Sequence, residues 1–216
     1  MRLSEAYRPR QWSEVVGQAK AIETIDRLRK RGLSGRAYFM AGPTGTGKTT
    51  LARLIAAEVA DDHGTTEIDG SEVTADTLRE IGHDKQMRPF GRGVCWIINE
   101  AHSMRGATIT RLLGLLENLP PWLTVIFTTT SEAKAGLFDE QLDAHPLLSR
   151  CEEIPMAHRG LAEAFAARAR EIAAAEGLDG QPAERYLRLA KDCRNSMREI
   201  LGRIEAGELL AVGGGK

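Results

Sequence analysis

Gly42-Pro43-Thr44-Gly45-Thr46-Gly47-Lys48-Thr49 decides the fold, because it meets the phosphate-binding pattern G-x-x-x-x-G-K-[ST] at every fixed position. The apolar run Ala37-Tyr38-Phe39-Met40 before it reads as a buried strand. The stretch Lys48 to Ala60 carries Leu51, Leu54, Ile55 and Val59 at helical spacing and reads as a helix. Strand, loop and helix in that order are the context the pattern requires. The glycines let the backbone close round an anion with its N–H groups pointing inward, and the helix N-terminus adds partial positive charge. Gly42 to Thr49, with the adjoining Thr50, is therefore expected to hold a nucleoside triphosphate. Lys48 is expected on the β and γ phosphates and the Thr49 hydroxyl on Mg²⁺. The plain alternative is a Gly/Pro/Thr turn that precedes a helix, and it leaves Lys48 and Thr49 without a reason.

Beyond the helix, Thr66 to Asp69 reads as a short strand. Thr74 to Ile81 reads as a short helix capped by Thr74 and carrying Arg79, followed by Lys85, Arg88 and Arg92 in a loop containing Gly and Pro. Val94-Cys95-Trp96-Ile97-Ile98 is a continuous apolar run of the kind a parallel strand covered on both faces needs. It ends in Asn99-Glu100-Ala101-His102. In phosphate-loop ATPases such a strand delivers an Asp toward magnesium and, in many, an adjacent Glu that orients the attacking water. Glu100 stands where that Glu belongs. Asn99 stands in place of the Asp, and as a neutral amide it is expected to lower metal affinity and slow hydrolysis.

Ala107 to Asn118 reads as an amphipathic helix stopped by Pro120-Pro121, and Leu123 to Thr128 as the next strand, leading to Thr129-Thr130-Ser131. A hydroxyl at that strand end suits a γ-phosphate or the attacking water, and ordinary turn chemistry accounts for it as well. A loop rich in acid and Gly precedes Pro146-Leu147-Leu148-Ser149-Arg150-Cys151, and Glu152 to Pro155 closes the sheet. Near the start, Val15-Val16-Gly17-Gln18 precedes a helical run through Ile22, Ile25 and Leu28. Val15 and Val16 suit the flat edge of an adenine, and a surface turn with a Trp anchor fits the spacing equally. From about Ala157 the composition turns to Ala, Arg, Glu and Leu, with helices drawn over Leu161 to Glu176, Pro182 to Lys191 and Ser196 to Leu210.

The expected architecture is α/β: a parallel sheet flanked by helices over 1–156, a small helical lid over 157–210, and a flexible tail over 211–216. With 29 basic and 30 acidic residues, the net charge of −1 says nothing for a wholesale nucleic-acid binder, so any DNA contact must come from a local patch. No apolar run reaches the length of a membrane span and the N-terminus has no signal-peptide core, which points to a cytoplasmic protein without membrane attachment. Cys95, Cys151 and Cys193 form no C-x-x-C pair and read as small buried hydrophobes.

The order of these motifs resembles the AAA+ ATPases of DNA clamp loaders, the replication factor C small subunits and the bacterial polymerase III gamma/tau subunit. Tyr7-Arg8-Pro9 with Val15 to Gln18 resembles their adenine-site box, Gly42 to Thr49 their phosphate loop, and Asn99 to His102 the D-E-A-H form of their second motif. Thr130 falls at the sensor-1 position and Ser149-Arg150-Cys151 matches the S-R-C motif. Ser196-Met197-Arg198 resembles the sensor-2 region. The resemblance implies an AAA+ core with a helical lid, ATP and Mg²⁺ as cofactors, and a magnesium side made by Thr49 and Asn99. It implies that Lys48, Glu100 and Thr130 serve hydrolysis, with Arg150 reaching the nucleotide of a neighbouring subunit and Arg198 touching nucleotide from the lid. It implies a homo- or hetero-oligomer acting in DNA replication with a sliding clamp and primer-template DNA, Arg79, Lys85, Arg88 and Arg105 being the basic residues offered to phosphates. The family's zinc module and collar are not in this sequence, so assembly is expected through ATP-site interfaces or a partner subunit that supplies the collar. Two other readings stay open: a weakly hydrolysing regulatory or stator module, and a Holliday-junction branch-migration type of motor.

Overall fold

The computed structural model describes residues 1–130 and 144–210. The acidic, glycine-containing loop expected before Pro146 falls almost wholly outside the described residues, and the tail over 211–216 wholly so. In chain order the elements are α1 (Leu3–Ala6), α2 (Ala19–Arg29), β1 (Ala37–Ala41), α3 (Lys48–Val59), β2 (Thr65–Asp69), α4 (Ala75–Gln86) and β3 (Val94–Asn99). Then come α5 (Gly106–Leu116), β4 (Leu123–Thr129), α6 (Ala144–Ser149), β5 (Glu152–Pro155), α7 (Ala162–Ala175), α8 (Ala183–Asp192) and α9 (Met197–Glu205).

Two compact units share these elements. The sheet unit is Lys20–Gly42 with Lys48–Met156. Its five strands are all parallel, in the order β2-β3-β4-β1-β5. β4 is buried along its length and β1 as far as Met40, because the chain supplies apolar residues or Thr at each position, as two covered faces demand. Phe39, Trp96, Ile98, Val125 and Phe127 pack with Leu78, Ile81, Ile109 and Leu112 of α4 and α5 into one core. With β1 lying between β4 and β5, the carboxyl ends of β1, β3 and β4 open on the edge where α/β sheets bind ligands.

The helical unit is Met1–Ala19, Pro43–Gly47 and the chain from Ala157 onward. The expected boundary left the N-terminal segment with the sheet, whereas packing groups it with the helices. Leu3 is buried among Phe165, Ala169, Tyr186, Ile200 and Ile204, with Tyr7 and Val16 against the same cluster. The Tyr7 hydroxyl donates to Glu176 at 2.6 Å and the Leu3 N–H to Glu205 at 3.4 Å. Gly17 has φ +75, and a Cβ there would lie 2.6 Å from the Leu161 side chain, so only glycine fits.

Two element ends differ from the sequence reading. α4 runs on to Gln86 and takes in Lys85, since Lys85 Nζ donates to the carbonyls of Leu115, at 3.0 Å, and Glu117. It thereby closes the orphan carbonyls at the end of α5, which the expected loop had no means of doing. α9 stops at Glu205 and not at Leu210, because Gly207 turns into the left-handed region at φ +84.

Candidate functional site

In the sheet unit, β1 delivers the chain to Gly42, whose N–H donates to the Thr129 carbonyl at 3.2 Å, and α3 then begins at Lys48. Lys48 is buried, and its Nζ donates to the Gly42 carbonyl at 2.8 Å. An ammonium so placed at a helix N-terminus is a fixed positive charge that an anion can share. The next residue, Thr49, donates its hydroxyl to Asn99 Oδ1 at 3.1 Å. The same oxygen accepts from Thr128 Oγ1 at 2.8 Å, and Asn99 Nδ2 donates to Glu67 Oε1 at 2.8 Å. Sequence reasoning missed Thr128 and Glu67. Thr128 reads as one more strand residue, and Glu67 as a charge on a half-exposed strand.

Glu100 follows β3 in the left-handed region, at φ 47 and ψ 49, a conformation a non-glycine residue holds only when its surroundings impose it. What imposes it is visible. The Glu100 carbonyl accepts from the N–H and hydroxyl of Ser103 at 2.8 and 2.7 Å. Gly70 packs so close that a Cβ there would lie 2.6 Å from that carbonyl. One carboxylate oxygen, Oε2, is buried with no hydrogen-bond partner among the described residues, His102 Nδ1 standing 3.5 Å away. His102 Nδ1 instead meets Thr129 Oγ1 at 2.9 Å. A buried carboxylate oxygen at this strand end that takes no hydrogen bond from the described residues can accept one from a water or a ligand. Thr130 follows β4 and is half-buried.

Hard oxygen donors suit Mg²⁺. The Thr49 hydroxyl and the Asn99 amide oxygen converge on each other, so the donor set fits that ion, with less charge than an aspartate would bring. Asp69, opposite Asn99 in the strand register, is committed elsewhere. Its carboxylate takes the N–H and hydroxyl of Ser71, and the Ser71 hydroxyl holds its pKa below the ordinary carboxylate value.

Arg150 follows α6. Its Nη1 donates to the Pro146 carbonyl at 3.0 Å and its Nη2 to Glu117 Oε1 at 2.6 Å, while Nε is buried with no hydrogen-bond partner among the described residues. The guanidinium of Arg150 pulls the Glu117 carboxyl below its usual pKa. Of the basic residues offered to DNA, Arg88 and Arg105 are exposed and Arg79 is exposed beside Asp76, whereas Lys85 is spent on the end of α5. Met87 and a fully exposed Phe90 lie in the turn after α4, an apolar pair the sequence reading passed over.

In the helical unit, Pro43 to Gly47 is gripped from two directions. Thr46 is buried, with its hydroxyl on the Pro43 carbonyl at 2.8 Å. Gln18 Nε2 donates to the Thr46 carbonyl at 3.0 Å and to the Ala157 carbonyl at 3.2 Å, while Gln18 Oε1 accepts from Ala157 N–H at 2.8 Å. The Met197 N–H donates to the Gly45 carbonyl at 3.1 Å. A Cβ on Gly45, where φ is +78, would strike Ser196. Arg198, exposed in the first turn of α9, is thus one residue from the position that touches the loop. Val16 is part of the apolar cluster of this unit, and Val15 ends the short turn Trp12–Glu14.

Residues 32–179 match a family model described as ABC transporter. The DNA polymerase III subunit tau of Bacillus subtilis is 24% identical over 97% of this chain and 41% of its own length. The tau/gamma subunit of Haemophilus influenzae is 28% identical over 69% of this chain and 24% of its own length. The gamma/tau subunit of Mycobacterium tuberculosis is 30% identical over 62% and 28% respectively. The chain thus spans well under half the length of these curated relatives. Among solved structures, the Thermotoga maritima RuvB Holliday junction branch migration motor superposes with a TM-score of 0.69 at 21% identity, covering 92% of this chain and 64% of that one. That is a likeness of fold.

Proposed function

Because the chain belongs to the phosphate-loop ATPase family that the ABC transporter model describes, and resembles the gamma/tau subunits of DNA polymerase III, we propose that it binds and hydrolyses ATP as an AAA+ clamp-loader type of subunit working on primed DNA. One observation carries the reading. At the head of α3, Lys48 holds the Gly42 carbonyl and Thr49 meets Asn99, while Glu100 beside it keeps a buried oxygen with no hydrogen bond among the described residues. Gly42 to Thr49 cradles the phosphates, Lys48 lies against the β and γ groups, and Thr49 with Asn99 holds Mg²⁺. When bound, Mg²⁺ neutralises charge on the phosphate oxygens. Glu100 Oε2 accepts a proton of the attacking water and aims its oxygen at the γ-phosphorus, ADP leaving on the opposite side. Arg150 of one subunit serves the nucleotide of the next, and Arg198 touches nucleotide from the lid. The sliding clamp is a partner for which the exposed Met87 and Phe90 offer an apolar plug, and Arg79, Arg88 and Arg105 are the residues offered to DNA phosphate.

The fold likeness to RuvB keeps a branch-migration motor as the second reading, and Asn99 keeps a weakly hydrolysing regulatory module. One experiment separates the three. ATP turnover is measured alone, with primed duplex and clamp, and with a four-way junction, beside a Lys48→Ala control, with mass in solution recorded. Stimulation by primed duplex and clamp supports the clamp-loader reading. Stimulation by the junction alone moves it to the branch-migration reading, and tight ATP binding without turnover moves it to the regulatory module. Turnover and affinity unchanged in Lys48→Ala would overturn the phosphate-loop assignment.

A further inference from the structure

An asparagine side chain has an acceptor end and a donor end, and at position 99 both are engaged. Oδ1 accepts from Thr49 and Thr128, and Nδ2 donates to Glu67. Turning the amide over would set its oxygen against the Glu67 carboxylate, acceptor against acceptor, so the network assigns the orientation. Glu67 is itself held. Arg53 Nε donates to one carboxylate oxygen at 2.7 Å and Nη2 to the other at 3.1 Å. All of these residues belong to the sheet unit, on α3, β2, β3 and β4.

We propose that Glu67 is a positioning residue for the metal side of this site. Its carboxylate points the Asn99 amide oxygen at Thr49 and supplies, from the neighbouring strand, the negative charge that position 99 lacks. This rests on the reading of Thr49 and Asn99 as the Mg²⁺ side. It changes what Asn99→Asp should do. A carboxylate at 99 would stand 2.8 Å from Glu67 Oε1 with no donor between them, acceptor facing acceptor and like charge facing like charge. An acid at 99 and an acid at 67 are alternatives, and the favourable pairs are Asn99 with Glu67, or Asp with Gln.

The test is a double-mutant cycle on the full chain: wild type, Asn99→Asp, Glu67→Gln and the double variant. Binding of a fluorescent ATP analogue is titrated with Mg²⁺, and thermal unfolding is followed without metal or nucleotide. Glu67→Gln should raise the Mg²⁺ concentration for half-maximal binding by roughly tenfold, as loss of a partner behind a metal ligand does. Asn99→Asp alone should give no lower midpoint than wild type and a lower unfolding temperature. Adding Glu67→Gln to it should restore most of the unfolding temperature and bring the Mg²⁺ midpoint to within about threefold of wild type, a non-additivity expected only of groups in contact. Additive effects in both measurements, or an unchanged midpoint in Glu67→Gln, would overturn the role of Glu67 and leave the site standing. Analogue binding in wild type that ignores Mg²⁺ would overturn the site reading, and this proposal with it.

Discussion

Replacing Gln18 by Leu tests how the phosphate loop is held. The side chain is 1% exposed and makes three hydrogen bonds, to the Thr46 carbonyl and to both backbone groups of Ala157. Leu keeps the volume and removes every polar atom, leaving an N–H and two carbonyls without that partner. At about 1 kcal/mol for each bond the loss comes to about 3 kcal/mol, at the lower end if water reaches the vacated groups. For a chain of this size, 1 kcal/mol corresponds to about 2–4 °C, so the unfolding midpoint of the whole chain should fall by roughly 6–12 °C. Calorimetry and urea unfolding monitored by circular dichroism measure this directly. Since Thr46 loses its anchor, nucleotide affinity should fall in parallel, read by equilibrium titration. A transition within about 1 kcal/mol of wild type together with unchanged nucleotide affinity would refute the claim that Gln18 fixes the loop.

Arg150→Ala should leave ATP binding in the same subunit intact while cutting turnover on the order of 10³. Mixing it with Glu100→Gln subunits should restore part of the activity, and mixed oligomers that stay inactive would refute action across an interface. Because Arg150 lowers the Glu117 pKa, their contact contributes stability above the carboxyl's unfolded-chain pKa and loses it as pH falls through the folded value. Acid unfolding curves of wild type and Arg150→Ala should therefore converge at the acid end, and a constant gap would refute the coupling. Lys85→Met should lower stability by about 1 kcal/mol through the end of α5 and leave DNA affinity unchanged in a salt-dependent binding assay; the reverse pattern would refute its structural role. Burial pushes the thiols of Cys95 and Cys151 up to about 12, so neither should react with iodoacetamide at neutral pH until the protein unfolds, and rapid labelling of the native chain would contradict that.

What could be read in the sequence was whatever repeats locally. The apolar runs around Phe39, Ile97 and Ile126 announced parallel strands, and Gly42 to Thr49 announced the turn between strand and helix. α4 was drawn too short because its apolar positions stop at Ile81, and the remaining turn is secured by Lys85 reaching α5, about thirty residues on in sequence. Glu67 and Thr128 carry no motif. Each matters because β2 and β4 flank β3, an adjacency set by sheet order and invisible along the chain. Gln18 belonged to a stretch read as an adenine edge, yet its buried amide links segments 28 and 139 residues away.

The hydrogen bond from the Leu3 N–H to the Glu205 carboxylate spans 202 residues, and the core around Leu3 is completed by Ile200 and Ile204 of α9. A ribosome therefore releases the first piece of the helical unit long before the last. At about 5–20 residues per second, the apolar face of Leu3 and Tyr7 waits roughly 10–40 s for its partners, while every strand of the sheet has already emerged. The helical unit is thus the one whose completion waits for the synthesis of α9. A nascent chain stalled before α9 should carry an N-terminus open to chaperones and proteases.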